Sequence, residues 1–187
     1  MSNGMDVILF DTETTGLIKP KSNDINAQPY ITEIYCLKIR QQNNECIKID
    51  EFEHLFKVPV KLSADISRIT GLTDEDLMYQ PKFKNCFEDL AKFFNGTERM
   101  VAHNLPFDRS MLANELVRID KVINFPWPRQ HVCTVEKSMK YEQRRLNLKR
   151  LHEELFGTGF DDAHRAKNDV EALYRCYKEM VRKGDIL

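Results

Sequence analysis

Val7-Ile8-Leu9-Phe10-Asp11-Thr12-Glu13-Thr14-Thr15-Gly16 begins with four apolar residues and then carries two carboxylates set two positions apart. A short apolar run bounded by polar residues and a glycine reads as a buried strand. Alternate residues of an extended chain share a face, so Asp11 and Glu13 are expected to point together into one pocket where this strand ends. Gly16 lets the chain turn there and brings backbone N–H groups close to anything bound.

Two further stretches have the same character. Met100-Val101-Ala102 is a second short strand, and His103-Asn104-Leu105-Pro106-Phe107-Asp108 follows it as the opening of a helix. His164-Arg165-Ala166-Lys167-Asn168-Asp169 lies at the start of a helical segment expected from about Asp162 to about Lys183. Residues five apart on a helix lie about 140° from each other. His164 and Asp169 therefore share a face only if His164 sits on the loop that leads in.

Between these stretches the chain alternates strand and helix. Ile31 to Ile39 and Cys46 to Phe56 are rich in β-branched and aromatic residues and flank Gln41-Gln42-Asn43-Asn44, the pattern of a hairpin. Residues 18–29 are polar and proline-broken, and read as a mobile loop. Ser63 and Thr73 are placed as helix N-caps, the latter with Asp76 three positions on. Phe83, Phe87, Leu90 and Phe94 form an apolar helical face that Asn95-Gly96 would close. Further helices are expected from Phe107 to about Ile119 and over Leu146, Leu148, Leu151, Leu155 and Phe156, ended by Gly157 and Gly159. A short strand falls around His131-Val132-Cys133.

With 187 residues, 42% of them hydrophobic, the chain is expected to be a single domain over 1–187 with a core of about 6–180. The 28 basic and 29 acidic residues give a net charge of -1, which excludes a strongly basic nucleic-acid coat. Neutralising the four acids above with bound cations leaves 28 basic against 25 acidic residues, so any contact with nucleic acid is expected to be local. Five cysteines, none closer than ten positions to the next, suggest neither a zinc site nor a disulfide framework. No leader or membrane-spanning run is evident, and a cytoplasmic protein with reduced thiols is expected.

Hydrolysis of a phosphodiester needs an activated water, neutralised phosphoryl oxygens and relief of charge on the leaving oxygen. Two divalent cations about 3.5–4 Å apart supply all three. Hard cations such as Mg²⁺ take carboxylate oxygen and keep water, which suits Asp11, Glu13, Asp108 and Asp169. Taken singly each acid is unremarkable: an Asp-x-Glu pair closes many strands, and an acid beside a helix N-terminus is favoured by the dipole. Gathered without a cation, however, four carboxylates would repel one another at severe cost.

In this order and at these separations, Asp11-Thr12-Glu13-Thr14-Thr15-Gly16, His103-Asn104 with Phe107-Asp108, and His164-Arg165-Ala166 with Asp169 resemble the three motifs of the DnaQ-like family. They match its DEDDh branch of 3′-to-5′ exonucleases. The resemblance runs from about Asp6 to about Lys178. It implies an α/β, ribonuclease-H-like fold, with a central mixed sheet led by three antiparallel-type strands and flanked by helices.

It also implies roles. Asp11 would bridge two Mg²⁺ or Mn²⁺ ions, Glu13 and Asp169 would complete the site of the attacking water, and Asp108 would support the second ion. His164, with an ordinary pKa near 6.5, would be the general base. The expected product is a nucleoside 5′-monophosphate released from a single-stranded 3′ end of DNA or RNA. Thr14 and Thr15 would hold the terminal sugar through backbone groups, and Leu17 and Phe107 would pack against the last bases, with Asn104 nearby.

Thr70, in Ile69-Thr70-Gly71, stands where the family often has histidine and would meet the terminal nucleotide differently. Phe107 reads equally as core, and His103 as a satisfied interior histidine. Lys137, Lys140, Arg144, Arg145, Lys149 and Arg150 form either a phosphate-tracking rim or a solvated face, since Glu136 and Glu142 are interspersed. Three functions remain open: a stand-alone exonuclease, a proofreading subunit bound to a DNA polymerase, and an inert nucleic-acid-binding module. The short tail after the last helix weighs against the second, and the intact motif positions weigh against the third.

Overall fold

The computed structural model describes residues 4–160 and 165–187. Its centre is β1 (Met5–Thr14), which pairs antiparallel with β2 (Ile31–Gln42), itself antiparallel to β3 (Glu45–Leu55). On the other side β1 pairs parallel with β4 (Arg99–Ala102), and β4 pairs parallel with β5 (Gln130–Cys133). The order β3-β2-β1-β4-β5 makes a mixed sheet led by three antiparallel strands.

The helices are α1 (Ala64–Thr70), α2 (Asp74–Leu77), α3 (Phe83–Phe94), α4 (Leu105–Arg118), α5 (Thr134–Lys137), α6 (Met139–Glu142), α7 (Leu148–Phe156) and α8 (Ala166–Arg182). Ser63 and Thr73 are the N-caps of α1 and α2, and Thr73 forms a full capping box with Asp76. Gly157 ends α7 at φ 76°, a left-handed conformation that glycine adopts without a Cβ penalty. The short helices α5 and α6 were not expected from the sequence, because four residues carry too little periodicity to register. No helix among the described residues is long and apolar enough to cross a membrane.

Strand β1 is covered on both faces, which is why its sequence is continuously apolar. Ile8 and Phe10 enter a core with Phe87, Leu90 and Phe94 of α3 and Leu112 of α4. Val7 and Leu9 enter the opposite core with Leu151 of α7 and Val170, Leu173 and Tyr177 of α8. All four β1 side chains are 0% exposed, and each contributes about 1.5–3 kcal/mol relative to an exposed position. The strand does not stop at Phe10 as the sequence suggests. Backbone pairing with β2 continues to Thr14, so Asp11 and Glu13 lie inside the strand and keep its alternation.

The segment at 18–29 contains a single 3-10 turn, Ile25–Ala27. Gln28 bonds Lys19 and the Ser22 carbonyl, while the Arg118 guanidinium donates to the carbonyls of Ile25, Gln28 and Pro29 at 2.8–2.9 Å. Arg118 also lies 3.8 Å from the Tyr30 ring centroid. One half-buried cation thus fixes the chain where it enters β2.

Candidate active site

A cleft of about 430 Å³ opens beside the C-terminal ends of β1 and β4. In sheets with parallel strands this is where ligands are usually bound. The alternation of β1 decides what reaches it. Asp11 and Glu13 follow Val7 and Leu9 onto the face covered by α8, while Thr12 follows Ile8 and Phe10 toward α4.

Helix α8 is set against that face by Ala166, Val170 and Leu173, all essentially buried. This rotation leaves Asp169, in its first turn, beside the strand carboxylates. One oxygen from each of Asp11, Glu13 and Asp169 lies within 4.8 Å of the others. Asp108, in the first turn of α4, lines the same cleft and is 3% exposed. Thr12 donates to its Oδ1 twice, from the backbone at 3.1 Å and from the hydroxyl at 2.8 Å. Asp108 therefore stands in the same cleft beside the trio, held from α4 through Thr12.

Crowding like charges in a desolvated cleft disfavours ionisation. Burial, then Asp108, Glu13, Asp169 and Glu33, hold Asp11 well above the usual carboxylate range. Burial, then Asp169, Glu33 and Asp108, raise Glu13 from 4.5 to about 8, against a pull downward by Arg165. Asp108 is raised by burial, partly offset by the two Thr12 hydrogen bonds. The donors are all carboxylate oxygens, an array suited to a hard divalent cation.

These shifts carry a pH dependence. Between about 4.5 and about 8 the folded, metal-free protein keeps a proton on Glu13 that the unfolded chain releases, so stability falls as pH rises through that window. Thermal unfolding in EDTA should show the decline, and Mg²⁺ should reverse it at the alkaline end. A midpoint that is flat or rises with pH in EDTA would contradict the crowding.

Glu33 is a fifth acid that the sequence reading missed. It faces Glu13 across the β1–β2 ladder and is 1% exposed. Arg165 grips it with Nε and Nη2, the latter at 2.9 Å, and the Ala166 amide donates to it at 3.3 Å. The pair fastens the start of α8 to β2, and so fixes where Asp169 stands. The available signal was a charged residue amid the apolar run Ile31-Thr32-Glu33-Ile34-Tyr35.

His103 also lines the cleft. Thr134 Oγ1 lies 2.9 Å from its Nδ1 and the Leu146 carbonyl 3.0 Å from its Nε2, and burial lowers its pKa to about 4. It is a neutral brace between β4 and the approach to α7. Asn104 caps α4 without a side-chain cap bond and lines the cleft with Phe107, which also packs against the core.

The other expected contacts are not among the lining residues. The Thr14 hydroxyl bonds the Gly16 carbonyl, and Thr15 exchanges bonds with the Tyr30 backbone through its amide and hydroxyl. Leu17 is 80% exposed. The Thr70 hydroxyl donates to Ile66 O and accepts from the Leu72 amide. His164 lies outside the described residues.

The basic stretch divides. Lys140 pairs with Asp185, and Arg144 and Arg150 both pair with Glu142. Lys149 lines the cleft.

A model of the family described as Exonuclease (RNase_T) matches residues 8–177. A DNA polymerase III subunit epsilon from Treponema pallidum (strain Nichols) is 28% identical over 178 residues, covering 92% of this chain and 74% of the relative. A DNA polymerase III PolC-type protein from Bacillus subtilis (strain 168) is 28% identical over 184 residues, 95% of this chain and 12% of that protein. Among solved structures, one described as 3′-end specific recognition of histone mRNA stem-loop by 3′-exonuclease superposes with a TM-score of 0.75. It is 13% identical, and the match covers 97% of this chain and 65% of that one. At that identity the likeness speaks for the fold.

Proposed function

Because the chain belongs to the Exonuclease family, as a DnaQ-like 3′-to-5′ exonuclease, we propose that it removes nucleoside 5′-monophosphates one at a time from single-stranded DNA or RNA in this cleft. The observation that carries the reading is the approach of Asp11, Glu13 and Asp169 to within 4.8 Å from two segments more than 150 positions apart in sequence.

Divalent metal, which we take to be two Mg²⁺ or Mn²⁺ ions, would activate water and neutralise charge on the phosphoryl group when bound. Asp11, Glu13 and Asp169 would hold it, with Asp108 supporting from α4. Thr12 orients Asp108 through its two hydrogen bonds. Arg165 and Glu33 set the helix that carries Asp169. Phe107 gives a terminal base an apolar surface on which to rest, and Asn104 offers an amide beside it. His164 is assigned the proton from the attacking water.

Incubating the chain with 5′-labelled single-stranded DNA and RNA, with Mg²⁺, Mn²⁺ or EDTA, should give a ladder that shortens from the 3′ end and vanishes on chelation. Internal cuts, or cleavage indifferent to EDTA, would reject the mechanism. A proofreading partnership with a DNA polymerase is the second reading, favoured by relatives that are themselves polymerase III epsilon and PolC-type proteins.

A further inference from the structure

We infer that Lys149 is the phosphate contact that receives the strand upstream of the reacting end, and that the strand leaves the cleft over Arg145. The inference rests on the exonuclease reading and deepens it. Four observations carry it. Among the described residues Lys149 is the single lysine or arginine lining a cleft that holds the carboxylates of Asp11, Glu13, Asp108 and Asp169. A second concavity of about 330 Å³, lined by Arg145 and its neighbours, shares Asn147 and Lys149 with the cleft, so the two adjoin at Lys149.

The charge there is available. Arg144 and Arg150 are engaged by Glu142 at 2.6 and 2.5 Å, whereas Lys149 and Arg145 take part in none of the ion pairs among the described residues. Finally, the stem of Lys149 crosses Gly159. A Cβ on residue 159 would lie 2.9 Å from Lys149 Cε, closer than such atoms pack. Glycine at 159 leaves the notch through which this side chain passes.

A polyanionic strand approaching the four acids of this cleft is helped by a cation in its lining, and a lysine serves phosphate as a point charge without base preference. The ordinary alternative, a helix-surface pair with Glu153 four positions on, is not formed within 4.0 Å.

Binding and cleavage separate the two readings. Anisotropy titrations of a fluorescent single-stranded oligonucleotide in EDTA, over a series of salt concentrations, read the contact without turnover. Lys149→Met should weaken binding about tenfold, as loss of one charge-assisted contact does, and should flatten the log–log salt slope by about 0.7, the value for one phosphate on a single strand. Lys149→Arg should restore both. Gly159→Ala, whose Cβ would press on the flexible ends of Lys149 at 2.9 Å and Glu153 at 3.2 Å, should shift affinity in the same direction with unchanged melting, and should add little in a Lys149→Ala background.

Hydrolysis of the p-nitrophenyl ester of a nucleoside 5′-monophosphate, which has no upstream phosphate, should fall far less on Lys149→Met than oligonucleotide cleavage does. Unchanged oligonucleotide affinity and salt slope would overturn the inference, as would an equal loss on the small ester. An unmodified chain that binds as described but cleaves neither substrate would instead strike the exonuclease reading.

Discussion

Asp11→Asn should lower exonuclease turnover by more than about 10³-fold, at or beyond what loss of one preorganised electrostatic group costs, and should at the same time raise the melting midpoint of the metal-free protein. Both effects have one cause. Asp11 is desolvated and faces Asp108, Glu13, Asp169 and Glu33. At neutral pH the metal-free fold must either protonate it or tolerate the repulsion, and an isosteric amide removes that cost. The same substitution removes an oxygen donor from the group that would hold the cation. Calorimetry in EDTA and then in Mg²⁺ should show a higher midpoint that no longer responds fully to metal. For a chain of this size about 1 kcal/mol corresponds to roughly 2–4 °C, so the gain is readily measured. A variant that melts lower in EDTA would contradict the crowding, and one that still degrades oligonucleotides would remove Asp11 from the reaction. The trade between stability and activity is expected wherever a site concentrates like charge.

His164→Ala should reduce turnover by about 10²–10⁴, the range for loss of a positioned general base, while the metal-induced rise in melting midpoint and the affinity for oligonucleotide stay near those of the unmodified chain. His164 itself lies outside the described residues; Phe160, four positions before it, lines the cleft, and Arg165, next in sequence, is bound to Glu33. The acid limb that a general base imposes on the rate profile should disappear with the imidazole. Loss of metal response together with turnover would make His164 a structural residue.

Much of this was legible from one dimension. The apolar run at Val7–Phe10, the Asn43-Asn44 hairpin, the capping box at Thr73 and the aromatic face of α3 are local signals, and each element formed where its signal lay. The four acids were legible through motif order, and the structure brings Asp11, Glu13 and Asp169 together with Asp108 alongside. What was hidden depends on partners far away in sequence. Glu33 reads as one polar residue in a strand until Arg165, 132 positions on, closes upon it. Thr70 invites a substrate role because a hydroxyl can donate, yet near a helix end it turns back to the carbonyl four residues earlier. The charges from Lys137 to Arg150 look alike until ion pairs with Glu142 and Asp185 engage Lys140, Arg144 and Arg150, and of the others it is Lys149 that lines the cleft. Strand β1 was underestimated in length because polar residues were taken to end it, although backbone pairing is indifferent to side-chain polarity.

The double coverage of β1 makes the site a matter of parity. Odd-numbered residues from Val7 to Glu13 serve the layer of α8, and even-numbered ones from Ile8 to Thr12 serve that of α4. Inserting one residue between Phe10 and Asp11 would keep every side chain in the chain yet send both carboxylates toward α4 and the threonine toward Asp169. Inserting two would restore the facing but carry the acids about 6.6 Å along the strand, past their partners. A change of length should therefore be tolerated in the connections, such as the stretch between β1 and β2, and not in the strand itself, which can change only by replacement.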